Sequence, residues 1–566
     1  MSGILSNLPP GILLILGALL VPFLRGRVLA GYVLLLPVVS FFHLLSVPMG
    51  HGIAVPFLNY TLDPVRNDGL ARVWGIIFHL AAFLSMIYAL HVRDRVQHAA
   101  GLVYVGSALA AVYAGDLITF FVFWELTAVS SVFLIWARRT ERAYRAGLRY
   151  LIIQVSSGLL LLAGAVLHLH TTGSMAFDHL GTGTLATNLI FIAFGIKCAF
   201  PLLHNWLQDS YPEATVTGTV FLSAFTTKLA VYALARGYAG TEILIPIGAA
   251  MTVFPIFYGV VENDLRRVLA YSLNNQLGFM VVGIGIGTGL SLNGTAAHAF
   301  VHILYKALLF MSMGAVLYRT GTIKASELGG LYRSMPLTAI FCMVGAASIS
   351  AVPLFSGFTA KSLIMTASAE GHYTLTVLAL LFASAGVFEH AGIKIPYCSF
   401  FSRDSGIRCK EAPPHMLAAM GLTAFLCIFL GVYPRPLYAI LPYPVDFNPY
   451  TASHVLSQLQ LLVFAGLCFG FLKIVRLHPP ELRSVHLDTD WVYRRLLPAG
   501  VGAAARAAAR IRSGVAVRVE TGLFRAFRGV YRHHGPRGIF ARTWATGEAI
   551  MWVAVLLAAC LVFYYL

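Results

Sequence analysis

Three ionisable side chains stand four residues apart in an otherwise apolar stretch of the chain. They are His298, His302 and Lys306, in the run HAFVHILYKALLF. Because four residues advance an α-helix by about 6 Å and return the side chain to nearly the same face, these groups form a ladder along one side of a predicted helix. Histidine and lysine both bind and release protons, so the spacing predicts either a proton relay or a polar packing stripe against Asn274 and Asn275.

Other ionisable residues interrupt apolar segments in the same way. A charged group at the centre of a bilayer costs at least about 2.5 to 3.5 kcal/mol, so its presence there predicts a function. A buried Glu–Lys pair can hold a proton when its members meet and release it when they separate. Snorkelling or a structural salt bridge explains a single lysine, but several such positions together favour a proton path. The candidates are Glu125, Lys197, Lys228, His298, His302, Lys306 and Lys361, with Glu389, His390 and Lys394 as additional candidates.

The elements that would position these groups are membrane-spanning helices. Hydrophobic residues make up 58% of the 566 and charged residues only 11%, against about 25% charged in a typical soluble protein. This composition excludes a soluble enzyme. Apolar runs of about 20 residues, the length that crosses a bilayer, recur about sixteen times along the chain. The predicted fold class is therefore an all-α polytopic membrane protein with about 14 to 16 transmembrane helices.

Two candidate lysines lie beside predicted helix breaks. Lys197 precedes Pro201 by four residues, and Lys361 follows Pro353 in a segment too long for one crossing. Proline removes a backbone donor, and discontinuous helices in two matching halves are typical of inverted-repeat transporters. We therefore predict two five-helix repeats with discontinuous helices, inverted because five is an odd number. The predicted divisions are transmembrane helices at 1–98, a first repeat at 99–236, a second repeat at 241–401, further transmembrane helices at 402–476, a cytoplasmic basic amphipathic segment at 477–544 and a final transmembrane helix at 545–566.

The positive charges are concentrated in alternate loops. Lysine and arginine together exceed aspartate and glutamate by 17, and the loops after odd-numbered predicted helices hold most of the excess. The positive-inside rule makes these loops cytoplasmic and places both termini outside. Between 503 and 544, arginines alternate with apolar residues, which predicts an amphipathic helix on anionic lipid, with a partly disordered basic linker as the alternative. This distribution gives no argument for nucleic acid as a partner.

Motifs for metals and nucleotides are absent from the sequence. The seven cysteines show no CxxC spacing and no Cys/His ligand pattern. Neither a GxGxxG run before a helix nor a Walker loop is found. We therefore predict no metal, no cofactor and no catalytic residue in the bond-breaking sense.

Five runs in a fixed order carry a family likeness. They are FFVFWELTAVSS, GIKCAFPLLHNWLQDSYPEATVTGTVFLSAFTTKLAVYALAR, ENDLRRVLAYSLNNQLGFMVVGIGIG, HAFVHILYKALLFMSMGAVL and SGFTAKSLIM. Together they resemble the antiporter-like, proton-conducting subunits shared by Mrp-type Na+/H+ antiporters and respiratory complex I, and within that family the D branch of the Mrp subunits. The resemblance covers about residues 60–440.

The resemblance implies roles for the buried ionisable residues. It makes Glu125 and Lys197 the first pair of a proton path and Lys361 its far end. It places the central axis at Lys228, His302 and Lys306. His298 fits the ladder by its spacing alone.

Some positions depart from the family pattern. Asn205 and Gln208 stand where many relatives have small residues and a proline, which would alter the segment after the first helix break. Glu389, His390 and Lys394 have no counterpart in the general pattern. These three are expected to form a branch-specific exit or a contact with a partner.

Three functions follow as hypotheses. The leading one is a subunit of a multi-subunit Na+/H+ or other monovalent cation/proton antiporter in a bacterial inner membrane, with other membrane subunits as partners and no cofactor. The second is a proton-pumping subunit of a complex I-type redox complex, and the third is a structural scaffold. The chain would be a transporter rather than a bond-making enzyme, and a description as an NADH:quinone oxidoreductase subunit would reflect the family.

Overall fold

The structure is a computed structural model that describes residues 8–57, 59–477, 482 and 488–566. Two compact units are distinguished, Met1–His486 and Leu487–Leu566. The predicted basic segment at 477–544 lies partly outside the described residues.

The first unit is built from α-helices, several of which are short or interrupted. The helices are α1 (Ile12–Ala18), α2 (Gly26–Ser46), α3 (Gly69–Tyr88), α4 (Arg95–Tyr113), α5 (Leu117–Trp136), α6 (Glu141–Thr172), α7 (Leu185–Cys198), α8 (Asn205–Ser210), α9 (Gly218–Ala224), α10 (Thr226–Gly237), α11 (Leu244–Val261), α12 (Leu265–Ile286), α13 (Gly289–Thr320), α14 (Pro336–Ile349), α15 (Ser356–Glu370), α16 (Thr374–Val387), α17 (Lys394–Pro396), α18 (Pro414–Val432), α19 (Arg435–Tyr438) and α20 (Ala452–Ile474).

Short irregular elements complete this unit. The π-helical segments Phe388–Ile393 and Tyr397–Phe401 flank α17, so the backbone that follows α16 stays helical as far as Phe401. Single 3-10 turns occupy Val21–Phe23, Tyr211–Glu213 and Leu331–Arg333. Strands β1 (Gly50–His51) and β4 (Arg66–Asn67) pair antiparallel, as do β2 (Val55–Phe57) and β3 (Tyr60–Leu62). These strands form a small cap between α2 and α3.

The described helices confirm an all-α polytopic membrane protein. Twelve of them are long and apolar enough to cross a membrane, and three shorter apolar helices accompany them. These fifteen helices correspond to fifteen of the sixteen predicted segments. The sixteenth segment contains α12, whose polar residues Asn274, Asn275 and Gln276 interrupt its apolar sequence. The central helices α9, α10 and α13 are almost wholly buried, whereas α20 presents nearly all its residues outward.

The helices α6 and α13 have the same length and the same kinds of cap. α6 and α13 are each 32 residues long. Each begins after a threonine whose hydroxyl accepts the third N–H of the helix, Thr140 and Thr288 respectively. Each ends at a glycine in the left-handed region, Gly173 (φ 71°) and Gly321 (φ 76°), a conformation that glycine adopts without a Cβ penalty. A helix of this length with these two caps thus occurs once in each of the two predicted repeats.

The two predicted helix breaks are present and have the same local conformation. Each break has the sequence Ala-x-Pro-Leu, with the alanine and the leucine at positive φ. The φ values are 62° at Ala199, 70° at Leu202, 56° at Ala351 and 74° at Leu354. Proline ends the preceding hydrogen-bond ladder, because it lacks the N–H that the ladder requires. The break between α7 and α8 therefore corresponds in form to the break between α14 and α15.

The second unit contains two helices, α21 (Leu497–His534) and α22 (Thr546–Tyr565). The π-helical segment Val492–Leu496 precedes α21, and a 3-10 turn at Ile539–Ala541 follows it. α21 contains no buried residue and carries most of the arginines of the predicted basic segment. Its helical form agrees with the amphipathic helix expected there, and its contact with anionic lipid stays a prediction.

Candidate functional site

Lys197 and Glu125 lie on neighbouring helices but do not form an ion pair. Lys197 is the penultimate residue of α7 and is fully buried. Its Nζ donates to the backbone carbonyl of Trp124 at 2.6 Å and lies 3.4 Å from Thr127 Oγ1. The ammonium group also stands 4.1 Å from the centre of the Trp124 ring. Lys197 is therefore anchored to α5 one residue before Glu125.

Glu125 occupies a space that a glycine provides. A Cβ placed on Gly158 of α6 would lie 1.7 Å from Glu125 Oε1, so the carboxylate rests directly against the α6 backbone. That oxygen is buried and makes no hydrogen bond. A buried acceptor without a donor is costly unless water reaches it, because its hydration is lost on burial. Gly158 thus fixes where the carboxylate can sit.

Lys228 is held at an interruption between α9 and α10. Phe225 separates these two helices with φ −104° and ψ −64°. Lys228 is fully buried, and its Nζ donates to the Ser223 carbonyl at 2.6 Å and lies 3.3 Å from Thr227 Oγ1. The hydroxyl of Tyr104 accepts the Thr226 N–H at 2.9 Å, which satisfies a donor on the other side of the interruption. The interruption therefore supplies the lysine with a backbone acceptor.

Lys306 lies near the middle of α13 and reaches the facing helix α12. Its Nζ makes a short hydrogen bond to Ser272 Oγ. The side chain is fully buried, and the Phe310 ring is centred 6.0 Å from Nζ. The acceptor is a hydroxyl, which can itself donate to a further group.

The two histidines of the predicted ladder differ in their contacts. His298 Nε2 lies 3.2 Å from Gln276 Oε1 and 3.0 Å from the Tyr305 hydroxyl. Tyr305 in turn donates to Gln276 Oε1 at 3.2 Å. Neither ring nitrogen of His302 has a hydrogen-bond partner, although the residue is fully buried. The ring centres of the two histidines are 6.1 Å apart.

The polar stripe that was the alternative interpretation is only partly present. His298 contacts the Gln276 side chain of α12, but neither side-chain atom of Asn274 has a partner. Asn275 Nδ2 donates to the Thr252 carbonyl of α11 instead. The ladder is therefore not packed as one continuous hydrogen-bonded stripe against α12.

Lys361 lies in α15, after the second helix break. Its Nζ donates to the Ile349 carbonyl at 2.8 Å, at the last residue of α14. The ammonium is centred 5.0 Å over the Phe279 ring, and that ring stands 5.8 Å from the His298 ring. The residue also lines a cavity of about 300 Å³ whose wall includes Ser384, His454 and Gln458. Lys361 is thus linked by ring contacts to the ladder and by a cavity to α20.

The additional candidates Glu389, His390 and Lys394 lie in the helical segment that follows α16. Lys394 is buried, and its Nζ donates to the carbonyls of Val260 at 2.6 Å and Glu262 at 2.8 Å, with the Gly259 carbonyl at 3.4 Å. These groups are at the C-terminal end of α11. The His390 ring packs against Gly259, where a Cβ would lie 2.9 Å from it. Glu389 lies one residue before His390 and is half-buried.

The structure brings some of the candidates together and separates others. Contacts within hydrogen-bond or ring distance connect Lys361, Phe279, His298, Tyr305 and His302 in that order. Within the described ranges, no hydrogen bond joins Lys228 to either Lys197 or Lys306. Any transfer between these lysines therefore needs water or movement of a side chain.

Several residues of the site were not predicted from the sequence. Trp124 and Ser223 contribute backbone carbonyls, which every residue type possesses, so no sequence pattern marks them. The contributions of Ser272 and Gln276 depend on how α12 faces α13, which only the fold shows. Gly158 carried a signal in principle, since a glycine inside a helix often permits a close approach.

Two aspartates at the starts of helices have pKa shifts of opposite direction. Asp264 caps the start of α12, where its carboxylate accepts the N–H groups of Arg266 and Arg267 and lies 2.8 Å from Lys324 Nζ. Burial opposes ionisation of Asp264, but the nearby cations outweigh it and hold the pKa of its carboxyl below the ordinary value. At the start of α5, burial outweighs the cap hydrogen bonds and raises the pKa of Asp116.

Comparison with protein families matches the centre of the chain. Residues 114–386 fit the family described as "NADH:quinone oxidoreductase/Mrp antiporter, TM". This range contains Glu125, Lys197, Lys228, Lys306 and Lys361, together with both histidines of the ladder.

Two curated bacterial relatives and one solved structure are similar over longer ranges. The A/B-type subunit of the probable K(+)/H(+) antiporter of Rhizobium meliloti is 29% identical over 71% of this chain and 42% of its own length. The D-type subunit of the Na(+)/H(+) antiporter of Alkalihalophilus pseudofirmus is 30% identical over 50% of this chain and 62% of its own length. The chain therefore spans less than two thirds of either relative.

The solved structure shows the fold. A chain of the Mrp complex from Dietzia sp. DQ12-45-1b superposes with a TM-score of 0.69 at 20% identity, covering 78% of this chain and 96% of that one.

Proposed function

We propose that the chain is one subunit of a multi-subunit monovalent cation/proton antiporter. The premise is that it belongs to the family of NADH:quinone oxidoreductase and Mrp antiporter transmembrane subunits. Its substrates are protons and Na+ or another monovalent cation. Other membrane subunits are its partners, the membrane is a bacterial inner membrane, and both termini face outward. The chain provides the proton path of the complex.

One observation carries this proposal. Lys197, Lys228, Lys306 and Lys361 are buried, and among the described residues none of them has a carboxylate oxygen within 4 Å. Each is held instead by a carbonyl or a hydroxyl. Such an acceptor takes a hydrogen bond from the ammonium ion and from the neutral amine alike, so both protonation states keep a partner. Groups that alternate between two protonation states need this property.

The proposed path follows the positions of these groups. Glu125 and Lys197 form its first part, Lys228 and Lys306 its centre, and Lys361 its far end. His302 and His298 lie between Lys306 and Lys361 in this path, and Phe279 separates His298 from Lys361 without itself carrying a proton. Water bridges the separations that no side chain spans, as in other polar sites where ordered water joins groups beyond direct contact.

We further propose that residues 99–236 and 241–401 are two copies of one inverted repeat, as the sequence predicts. The first copy contains the helices from α4 to α10, and the second contains those from α11 to Phe401. The equal lengths and caps of α6 and α13 support this assignment. The repeated Ala-x-Pro-Leu break supports it independently. In inverted-repeat transporters, discontinuous helices of this kind lie next to the transported ion.

A second function draws support from the family description, which includes NADH:quinone oxidoreductase. In that case the same residues would move protons when another protein of the complex carries out a redox reaction. The two functions differ in what drives the protons: a gradient of a monovalent cation in one, and a redox donor in the other. A purely structural scaffold is the third alternative, and it requires no proton movement through the chain.

The test is cation-driven proton movement in everted membrane vesicles that contain the chain with its neighbouring subunits. We expect wild type to acidify or alkalinise the vesicle lumen on addition of Na+ or K+, and Glu125→Ala, Lys197→Ala and Lys306→Ala to abolish the signal. Lys410→Ala, at an exposed loop lysine, is the matched control and should behave as wild type.

Each other result selects an alternative. Wild type that responds to no monovalent cation but pumps when a redox donor is supplied would favour the redox complex. Variants as active as wild type, at equal abundance in the membrane, would contradict the proton path and leave the scaffold function.

A further inference from the structure

A groove on the surface of the first unit runs between α4 and α5 and encloses about 540 Å³. Small residues of the two helices, among them Ala99 and Ser130, form its floor. The exposed side chains of Val96 and Phe133 stand in its walls. The Ser130 hydroxyl donates to the Leu126 carbonyl of its own helix, so it offers no free donor to the groove. The groove is therefore apolar between its two ends.

An arginine stands at one end of this groove. Arg95 is the first residue of α4, and its guanidinium donates to the Pro22 carbonyl at 2.8 Å. A guanidinium has five N–H donors, so most of them remain for another acceptor. The neighbouring Asp94 accepts the Val96 N–H and is paired with Arg139 at 3.2 Å. In the described part of the chain, no carboxylate forms an ion pair with Arg95.

The length of the groove corresponds to one leaflet of a membrane. Arg95 and Val103 both line it and are eight residues apart, which is about 12 Å along a helix. Half of the hydrocarbon core of a bilayer is about 15 Å thick. The groove thus begins at a helix end, where the membrane surface lies, and extends across most of one leaflet.

Two other grooves on the first unit are apolar but differ in charge. One of about 300 Å³ lies between α2 and α3, and one of about 340 Å³ lies between α14 and the helical segment that follows α16. Among the described residues, no lysine or arginine lines either of these two grooves. The groove between α4 and α5 therefore combines an apolar channel with a positive charge at the membrane surface, which the other two do not.

The length and the charge of the groove identify its occupant. A helix of another subunit would cross both leaflets and is about 10 Å wide, whereas this groove covers one leaflet. The acyl chain of a phospholipid lies in one leaflet and ends at a phosphate on the membrane surface. A guanidinium binds phosphate through two parallel N–H donors. A zwitterionic headgroup would bring a second cation close to Arg95, so an anionic headgroup fits this end of the groove better.

We propose that the groove between α4 and α5 is a binding site for one anionic phospholipid. An acyl chain lies along Ala99 and Ser130, and the headgroup phosphate accepts hydrogen bonds from the Arg95 guanidinium. The site contains no residue of the basic segment at 503–544. The inference does not rest on the proposed function, because it requires no movement of protons or cations.

The test is photolabelling of the chain, purified together with its neighbouring subunits, in bilayers of unlabelled phosphatidylcholine. A trace of phospholipid with a photoactivatable acyl chain is added, either phosphatidylglycerol or phosphatidylcholine, and mass spectrometry locates the labelled peptides. We expect phosphatidylglycerol to label the groove between α4 and α5 at least about tenfold more than phosphatidylcholine, the ratio that one hydrogen bond to a charged group provides. The two uncharged grooves should be labelled equally by both lipids.

Variants separate the charge from the apolar channel. Arg95→Gln removes the charge but keeps an N–H donor, so labelling by phosphatidylglycerol should fall to the level of phosphatidylcholine. Arg93→Gln is the matched control, because Arg93 is an exposed arginine of the same loop that does not line the groove. Ala99→Leu fills the floor and should reduce labelling by both lipids. Ala163→Leu, at an exposed position of α6, should change neither.

The outcomes decide between a specific lipid site and its alternatives. Loss of the preference for phosphatidylglycerol in Arg95→Gln, with the preference kept in Arg93→Gln, supports the proposal. Equal labelling of the groove by both lipids in wild type would overturn it, as would a preference that Arg95→Gln leaves unchanged. A groove that neither lipid labels, while the two uncharged grooves are labelled, would mean that another subunit covers it, which also overturns the proposal. None of these results depends on whether the wild type moves protons.

Discussion

The position of the Glu125 carboxylate against α6 gives a sharp test of the proton path. Replacing Gly158 by alanine adds a methyl group whose carbon would lie 1.7 Å from Glu125 Oε1 and 2.2 Å from its Cδ. Non-bonded carbon and oxygen atoms approach to about 3.0 to 3.5 Å at the closest, so the carboxylate must move by more than 1 Å or turn to another rotamer. The three atoms nearest to the added carbon all belong to Glu125, so we expect the hydrogen bond from Lys197 to the Trp124 carbonyl to remain.

We expect the displaced carboxylate to slow proton movement by up to about a hundredfold, the loss that a misplacement of about 1 Å causes in a positioned reacting group. Gly164→Ala is the matched control: it lies six residues further along α6, and its new Cβ would meet Ile190 at 2.6 Å and the Ala186 carbonyl at 2.8 Å. It imposes comparable crowding without touching Glu125. Initial rates of cation-driven proton movement in everted vesicles, at matched abundance, compare the two variants.

A compensating change makes the test specific. Glu125→Asp shortens the side chain by one methylene, so the pair Gly158→Ala with Glu125→Asp should recover activity relative to Gly158→Ala alone. Equal transport by Gly158→Ala and Gly164→Ala would refute the reasoning, because crowding of α6 would then be the whole effect. A double variant no better than the single one would show that the carboxylate position does not limit the rate.

The other predictions concern two lysines, a serine and one helix cap. Lys306→Ala should abolish proton movement in the vesicle assay, whereas Ser272→Ala should slow it by about tenfold, since it removes one hydrogen bond and no protonatable group. Lys394→Ala should lower the free energy of unfolding by about 1 to 3 kcal/mol, because the buried carbonyls of α11 lose their hydrogen-bond donor. The measurement is a lower melting temperature of the purified complex. Because the pKa of Asp264 is lowered in the folded protein, its contribution to the free energy of unfolding is fully present above about pH 4. This contribution is lost as the pH falls through the pKa of Asp264 in the folded protein. Asp264→Asn should therefore be less stable than wild type at about pH 6, by a margin that shrinks below about pH 4. A difference in stability between Asp264→Asn and wild type that stays constant from about pH 6 to below about pH 4 would contradict the explanation given for Asp264. Loss of transport in Lys394→Ala without loss of stability would contradict the structural explanation given for Lys394.

The sequence predicted the elements that have a local chemical cause. Proline at positions 201 and 353 predicted both helix breaks, and the structure has them at those positions. Apolar runs predicted the membrane helices, except that α7 and α14 are shorter than a full crossing because the breaks end them. The four-residue spacing of His298, His302 and Lys306 predicted one continuous helix, and α13 contains all three.

What the sequence did not predict depends on contacts between helices. The interruption at Phe225 has no proline or glycine beside it, yet it frees the Ser223 carbonyl that holds Lys228. A direct Glu125–Lys197 pair was the natural expectation from two opposite charges in neighbouring helices. The structure instead gives Lys197 a carbonyl acceptor, because the α5 backbone lies closer to its ammonium group than the carboxylate does. Packing of α5 on α7 decides this, and no local pattern records it.

The acceptors around each buried lysine distinguish two kinds of site that the sequence could not separate. An ammonium ion has three N–H donors, and a neutral amine has two. Three carbonyls at the C-terminal end of α11 lie within 3.4 Å of Lys394 Nζ, one for each N–H donor of an ammonium ion. Lys228 and Lys361 each have one carbonyl within 3 Å, supplied by an interrupted helix, and this arrangement fits either protonation state. The breaks therefore matter less for bending the helices than for providing single, uncharged acceptors inside the membrane, and this explains why protonatable lysines occur beside them.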